Sequence, residues 1–448
     1  MDEYLKKNLT RIKLALCFLA ALLTGLAVTG AFGRLPWPGK KTLTIGVFSD
    51  SYWEVQNGYS YRILDDAIAL FEQEHPGIRV SYESGILKED YSEWLAEKLL
   101  MGEAPDLFFV LENDFNDFAQ IRALADLSSL IRKDAAFDPE RYYQAAYECG
   151  KYDNIQYALP YECAPRIMFV NKSILDAEQI PIPQGDWTWE DFYGICKQVT
   201  KDRNHNGILD QYGAAGYGWQ DAFDSNGVTL FNRQGTECYL TGDKVLEAIS
   251  FMERMEQLND GYSVTGRDFT LGNVAFQPLL FSEYRAYKSY PLSIKKYSGF
   301  EWDCITMPAG PQGENLSRLD TLSIAMNART AHGAEAWEFM KLLTGDERIQ
   351  SEIFRYSEGI SVLPSVTGSR QTREVLMDHA GEGNVLNMEI LKTAMEKAVV
   401  VPGFRNQDLA METVSKAVDA VIHGDSNISM ELIIQNREIN RYLQSLQQ

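Results

Sequence analysis

The sequence predicts an α/β fold in two lobes, and three observations carry that expectation. At 448 residues the chain exceeds what one hydrophobic core supports. From Thr42 to Leu111, segments of strand period and helix period alternate. From Tyr157 to Lys172 a stretch rich in prolines and aromatics reads as an entry strand, a polar-aromatic loop and a second strand, which suits a crossing between lobes.

At the N-terminus, Lys6, Lys7, Arg11 and Lys13 precede an uncharged run, Leu14 to Gly33, long enough to cross a bilayer as a helix. Basic residues before the run and an acidic bulk after it put the N-terminus in the cytoplasm and the rest of the chain outside. Ala31, Phe32 and Gly33 offer no clean small-x-small cleavage site, which favours an uncleaved anchor over a removed signal. A lipoprotein needs a cysteine just after such a run, whereas Cys17 lies near its start behind Leu16. Residues 1–41 therefore read as an anchor or signal followed by a tether, with Trp37 suited to the headgroup level.

Leu43, Ile45 and Val47 then alternate with polar residues as a half-buried strand. Ile63, Leu64, Ala67, Ile68 and Phe71 line one face of a helix that stops at His75-Pro76-Gly77. Ile78, Val80 and Tyr82 make a second strand, Tyr91 to Met101 a second helix, and Leu107 to Leu111 a third strand, fully apolar. This β-α-β-α-β order argues for a mostly parallel sheet whose ligands bind beyond the carboxyl ends of the strands. Two polar loops then face the same side, Tyr52-Trp53-Glu54 and Glu112-Asn113-Asp114. Trp53 reads either as a binding surface or as core.

In the crossing, Pro160 and Pro165 bracket Tyr161, Glu162 and Cys163 and keep this backbone extended or turned. Thr188 caps a helix carrying Trp189, Phe192, Ile195 and Val199. Asp202, Asn204, Asn206 and Asp210 follow at positions one, three, five and nine of a loop with Gly207 at six and Ile208 at seven, the front of a calcium loop. Position twelve is Gly213, so Glu190 or Asp191 would have to complete the shell, and a chain of Asx turns fits the same residues. Trp219, Gln220 and Asp221 end a glycine-rich segment and suit a sugar face and its hydroxyls, with packing as the alternative. Tyr284, Arg285, Tyr287 and Tyr290 cluster before a second crossing at Pro308 to Pro311. A strand at Thr321 to Met326 and a helix at Ala334 to Leu343 lead to a third crossing at Glu358 to Pro364, and the tail is helical.

With 63 acidic against 42 basic residues, the net charge of −21 opposes nucleic acid and anionic lipid surfaces. Cys149, Cys163, Cys196, Cys238 and Cys304 form no Cys-x-x-Cys pair, which argues against a disulfide framework or a structural zinc site.

Several motifs in order resemble the extracellular solute-binding proteins of ATP-driven importers, the sugar-binding family that includes the maltose-binding protein. They are Pro76-Gly77-Ile78-Arg79-Val80, Pro105-Asp106-Leu107-Phe108, Tyr157-Ala158-Leu159-Pro160, Trp189-Glu190-Asp191-Phe192, Met307 to Pro311 and Ala336-Trp337-Glu338-Phe339-Met340. The resemblance implies a two-lobed periplasmic-binding-protein-like fold of type II, with mixed sheets flanked by helices and three hinge crossings. One lobe would comprise residues 42–157 and 308–358, the other 158–307 and 359–448. It also implies closure on a ligand without chemistry, and permease subunits of an ABC transporter as partners. By position, Asn113 stands where maltose-type proteins use an acidic contact and Tyr284 where they stack an aromatic. Met411 replaces an expected aromatic, which argues against maltose itself.

The expected function is capture of a sugar or oligosaccharide at the extracytoplasmic face of the membrane. Trp53, Trp219 and Tyr284 would supply faces, and Glu54, Asn113, Tyr161, Glu162, Asp221 and Arg285 hydrogen bonds. Two rivals stand beside it: a membrane-anchored glycoside hydrolase using carboxylates such as Glu54 and Asp221, and a tethered sensor or scaffold that binds a protein.

Overall fold

The computed structural model describes residues 40–53, 59, 61–283, 285, 300–378, 387–400, 403–424 and 427–446. The uncharged run 14–33, Glu54 and Tyr284 lie outside the described residues, within which no helix is long and apolar enough to cross a membrane. Among the described residues one mixed sheet has ten strands: Lys41–Gly46 (β1), Ile78–Tyr82 (β2), Leu107–Val110 (β3), Ala158–Asn171 (β4), Tyr212–Ala214 (β5), Val274–Leu280 (β6), Trp302–Ile305 (β7), Ser317–Met326 (β8), Ile360–Ser361 (β9) and Ala398–Val399 (β10). Its main order is β2-β1-β3-β8-β4-β6-β5, with β9 and β7 paired to β4 and β10 to β8.

The first half follows the expected βαβ logic. β1 pairs in parallel with β2 and β3, and Arg62–Glu74 (α1) and Lys88–Met101 (α2) return the chain between them. Burial of all four β3 residues is what a sheet covered on both faces demands. Gly102, at φ 73, closes α2 in the left-handed conformation that glycine adopts without a Cβ penalty. Glu112–Gln120 (α3) begins directly after β3, so its N-terminus opens at the carboxyl edge of the sheet.

The crossing differs from expectation: β4 is one continuous strand of 14 residues, without an interrupting loop. Its pairing with β8 steps from Leu322 opposite Glu162 to Ser323 opposite Pro160, which leaves Tyr161 as the extra residue of a bulge. A bulge is where a strand tolerates a proline that cannot donate to the ladder. Through Pro165 the strand pairs with β8, and from Arg166 it pairs with β6 instead. One strand thus belongs to both lobes.

Past the crossing, Met168 and Val170 face a second core with Trp189 and Phe192 of Trp189–Val199 (α4), Ala222 and Phe223 of Trp219–Ser225 (α5), and Phe276. Gly333–Gly345 (α6) and Glu347–Tyr356 (α7) pack back onto the first core through Phe339 and Phe354. Ile360 to Met395, expected in the second lobe, contribute their buried residues to this first core, and Tyr143 donates its N–H to the Val362 carbonyl at 2.9 Å. The second core regains the chain at Phe404 and along Gln407–Ile422 (α8) through Val414 and Val418.

Candidate functional site

A cavity of 450 Å³ opens where the two halves meet. Glu112, Asn113 and Asn116 of α3 form one wall, Arg318 and Thr321 of β8 the floor, and Gln220 of α5 with Gln407, Asp408 and Met411 of α8 the other wall. The halves touch at its rim, where Asn116 Nδ2 donates to Gln407 Oε1 at 3.1 Å and Arg233 Nη1 to Asn154 Oδ1. Gly403 lies so close that a Cβ there would run into the Asn116 carboxamide.

The charges divide into paired and unpaired. Arg166 of β4 donates through Nε to Asp221 Oδ1 at 2.7 Å and through Nη2 to the Gly216 carbonyl at 3.0 Å. Arg318 meets Asp224 Oδ2 from Nε at 3.1 Å and from Nη2 at 3.0 Å. Lys151 pairs with Glu148. The side chains of Glu112, Asp320 and Asp408 have no hydrogen bond or ion pair among the described residues. Glu112 is open to solvent yet enclosed by the cleft walls; burial first, then Asp320, push its carboxyl up to about 7 against the pull of Arg318, with Asp408 adding to the rise. Asp320 and Asp408 are raised as well, each chiefly by burial.

Of the residues expected to bind, Asn113 lines this cavity. Trp53, Glu162 and Arg285 are brought together elsewhere, in the buried seam behind it: they are 4, 5 and 6% exposed. Ser357 Oγ donates to Glu162 Oε2 and the Trp53 indole lies against the same carboxyl, while burial raises Glu162 to about 7. Arg285 donates to the carbonyls of Ile353 at 3.2 Å, Phe354 at 2.6 Å and Gly359 at 2.5 Å, closing the C-terminal end of α7. Gly359 has to be glycine here, since a Cβ would stand 2.7 Å from both Glu162 Oε2 and Trp53 Nε1. Tyr161, expected at a binding edge, packs at 5.0 Å against Phe109, because the bulge turns it into the core. Trp219 is also core, edge-on to Phe223 at 5.0 Å, and Asp221 is spent on Arg166 and on capping its own helix through Gly218 N–H at 3.0 Å.

Sequence reasoning missed Asn116, Arg318, Asp320 and Asp408. For two of them a signal exists: Arg318 and Asp320 alternate with Leu319 and Thr321 at strand period just ahead of the run read as β8.

In the 202–210 loop, Asp202 Oδ2 accepts from Gly207 N–H at 2.6 Å, Asn204 Oδ1 from Asn206 N–H at 3.1 Å and Asn206 Oδ1 from Ile208 N–H at 2.8 Å. Asp210 Oδ1 accepts from Arg203 N–H at 2.8 Å. His205 and Gly207 take positive φ, 60 and 89. Asp202 Oδ1 is buried without a hydrogen-bond partner among the described residues. The described residues hold no group of three or more His, Cys, Asp or Glu side chains placed for a metal ion, so any ion here would lean on amide and backbone oxygens.

A sheet with strands shared between two halves and a polar cleft where the halves meet defines a two-lobed binding protein. The chain belongs to the bacterial extracellular solute-binding protein family, whose pattern matches residues 55–348. It is 26% identical over 388 residues to an uncharacterized lipoprotein in the oleD 5′ region of Streptomyces antibioticus, covering 84% of this chain and 80% of that protein. The structure is similar to the cyclic α-maltosyl-1,6-maltose binding protein of Arthrobacter globiformis, with a TM-score of 0.75 at 14% identity over 91% of this chain and 100% of that one. It is also similar to the sugar-binding protein MalE of Xanthomonas citri, with a TM-score of 0.73 at 15% identity over 91% and 98%. The family's activity is solute binding without catalysis.

Proposed function

We propose that this protein captures a sugar or oligosaccharide between its lobes and delivers it to the permease subunits of an ATP-driven importer. The observation that carries the reading is the cleft itself: hydrogen-bonding side chains from α3, β8, α5 and α8 converge on one cavity and come from both lobes. Such a site favours the closed form through contacts that exist only when the lobes meet. Amides such as Asn113, Gln220 and Gln407 suit hydroxyl groups, and the sugar ligands named for the two structural neighbours point the same way. Thermal shift against a sugar panel tests it: a ligand at 100 times its dissociation constant adds about 2.7 kcal/mol. Absence of stabilisation by any sugar overturns it.

The site of action is the outer face of the membrane, with residues 14–33 as anchor; the Streptomyces relative is named a lipoprotein. Release of a form lacking residues 1–39 from washed membranes is expected, and its retention there counts against the anchor. Calcium in the 202–210 loop is the remaining part of the proposal, supported by the turn pattern and the unmatched Asp202 oxygen. Calorimetric titration of chelator-treated protein should give saturable heat that Asp202→Asn abolishes, and no heat at millimolar calcium sinks the idea.

A further inference from the structure

We infer that the captured solute carries a positive charge: an amine-bearing sugar whose ammonium sits between Glu112 of α3 and Asp408 of α8, both of which line the cleft. This rests on the sugar-binding reading and adds the chemical class. The cleft is a ligand site on the independent grounds of family and position, and the carboxylates decide what charge it prefers.

Each cation that lines the cavity already has an acceptor. Arg166 is held by Asp221, Arg318 by Asp224 and Lys151 by Glu148, while Arg233 reaches Asn154. What remains is acceptors without donors. The side chains of Glu112, Asp320 and Asp408 lack partners among the described residues, and Asn116 Oδ1 is buried beside them with no donor. They stand on different elements, α3, β8 and α8, and Glu112 feels both Asp320 and Asp408.

Closure brings α3 and α8 together, and with them like charges. The helix ends offset part of this, because Glu112 and Asp408 lie in first turns, but a helix N-terminus supplies only about half a charge. A neutral sugar gives the carboxylates hydroxyl donors and leaves their repulsion in place. An ammonium gives donors and removes the repulsion, so closure and binding reinforce each other.

Matched pairs of ligands test this on the intact extracytoplasmic chain: glucosamine, galactosamine and mannosamine with their oligomers to three units, each against its N-acetylated counterpart. Calorimetry at pH 7.5 should show an amine-bearing sugar binding at least about tenfold tighter than its acetylated form. Glu112→Gln and Asp408→Asn should each weaken that sugar by about tenfold. Equal binding of amine and acetylated forms, or tighter binding of a neutral sugar, overturns the inference and leaves the sugar reading standing. Binding by neither set while a neutral sugar of the thermal-shift panel stabilises the protein overturns the inference alone; no binding by either set or by that panel takes down the sugar reading and this inference with it.

Discussion

One glutamate lies on the crossing strand β4 and another at the start of α3, and burial raises both to about 7, yet their surroundings make opposite uses of it. Glu162 is enclosed in the seam, with Ser357 and Trp53 on its carboxyl and Arg285 and Glu358 near by. Glu112 looks into the cleft and its side chain has no hydrogen-bond partner among the described residues. A raised carboxyl therefore does not by itself mark a binding residue. Glu162 has its bonds already and belongs to the hinge; Glu112 has bonds still to make.

The largest effect should come from the hinge. Arg285 links the chain beyond β6 to the end of α7 through three bonds from a charged donor to backbone carbonyls. Replacing it with methionine keeps much of the volume but strands those carbonyls and leaves Glu162 without its neighbour. Arg285→Met should lose about 3 kcal/mol in urea unfolding, whereas Glu112→Gln should cost no stability, since it removes a carboxyl whose ionisation the fold opposes. Similar losses for the two would erase the distinction between seam and cleft.

Next in size is pH. Glu162 moves from the usual 4.5 to about 7 on folding, so the folded state holds a proton that the unfolded state has released. Its contribution is complete below pH 4.5 and is lost as pH rises through about 7, at most about 3 kcal/mol over that window. Glu162→Gln, which stays neutral throughout, should flatten the fall in stability between pH 4.5 and 7. A slope unchanged in this variant would mean that Glu162 is ionised in the fold.

How far the sequence carried this picture depends on the kind of signal. Strand alternation placed β1 and β2, a fully apolar run placed β3, and the helix period placed α1, because each registers burial against one continuous sheet. The crossing was misread where Pro160 suggested a break: sequence shows a proline's missing donor but not the bulge at Tyr161 that makes the loss harmless. The binding candidates followed residue type, so Trp53, Trp219 and Arg285 stood out, and these large side chains turned out to pack the seam and the second core. Asn113, singled out by the family resemblance, lines the cleft because it follows β3 directly, at the carboxyl edge of the sheet. Asp320 and Asp408 could not be found that way, since their meeting with Glu112 depends on how β8 and α8 are placed by the whole fold.

The smallest effect probes the rim. Asn116 and Gln407 form a side-chain bond between the lobes at 3.1 Å, and that bond favours the closed state alone. Asn116→Ala should therefore leave unfolding in urea close to the parent while weakening ligand binding about fivefold, the worth of one hydrogen bond of about 1 kcal/mol. Gly403→Ala should move affinity the same way, because its methyl would press on the same carboxamide and hold the rim apart. If either change strengthened binding, the contact would belong to a state that competes with ligand, and the cleft would have to close by another path.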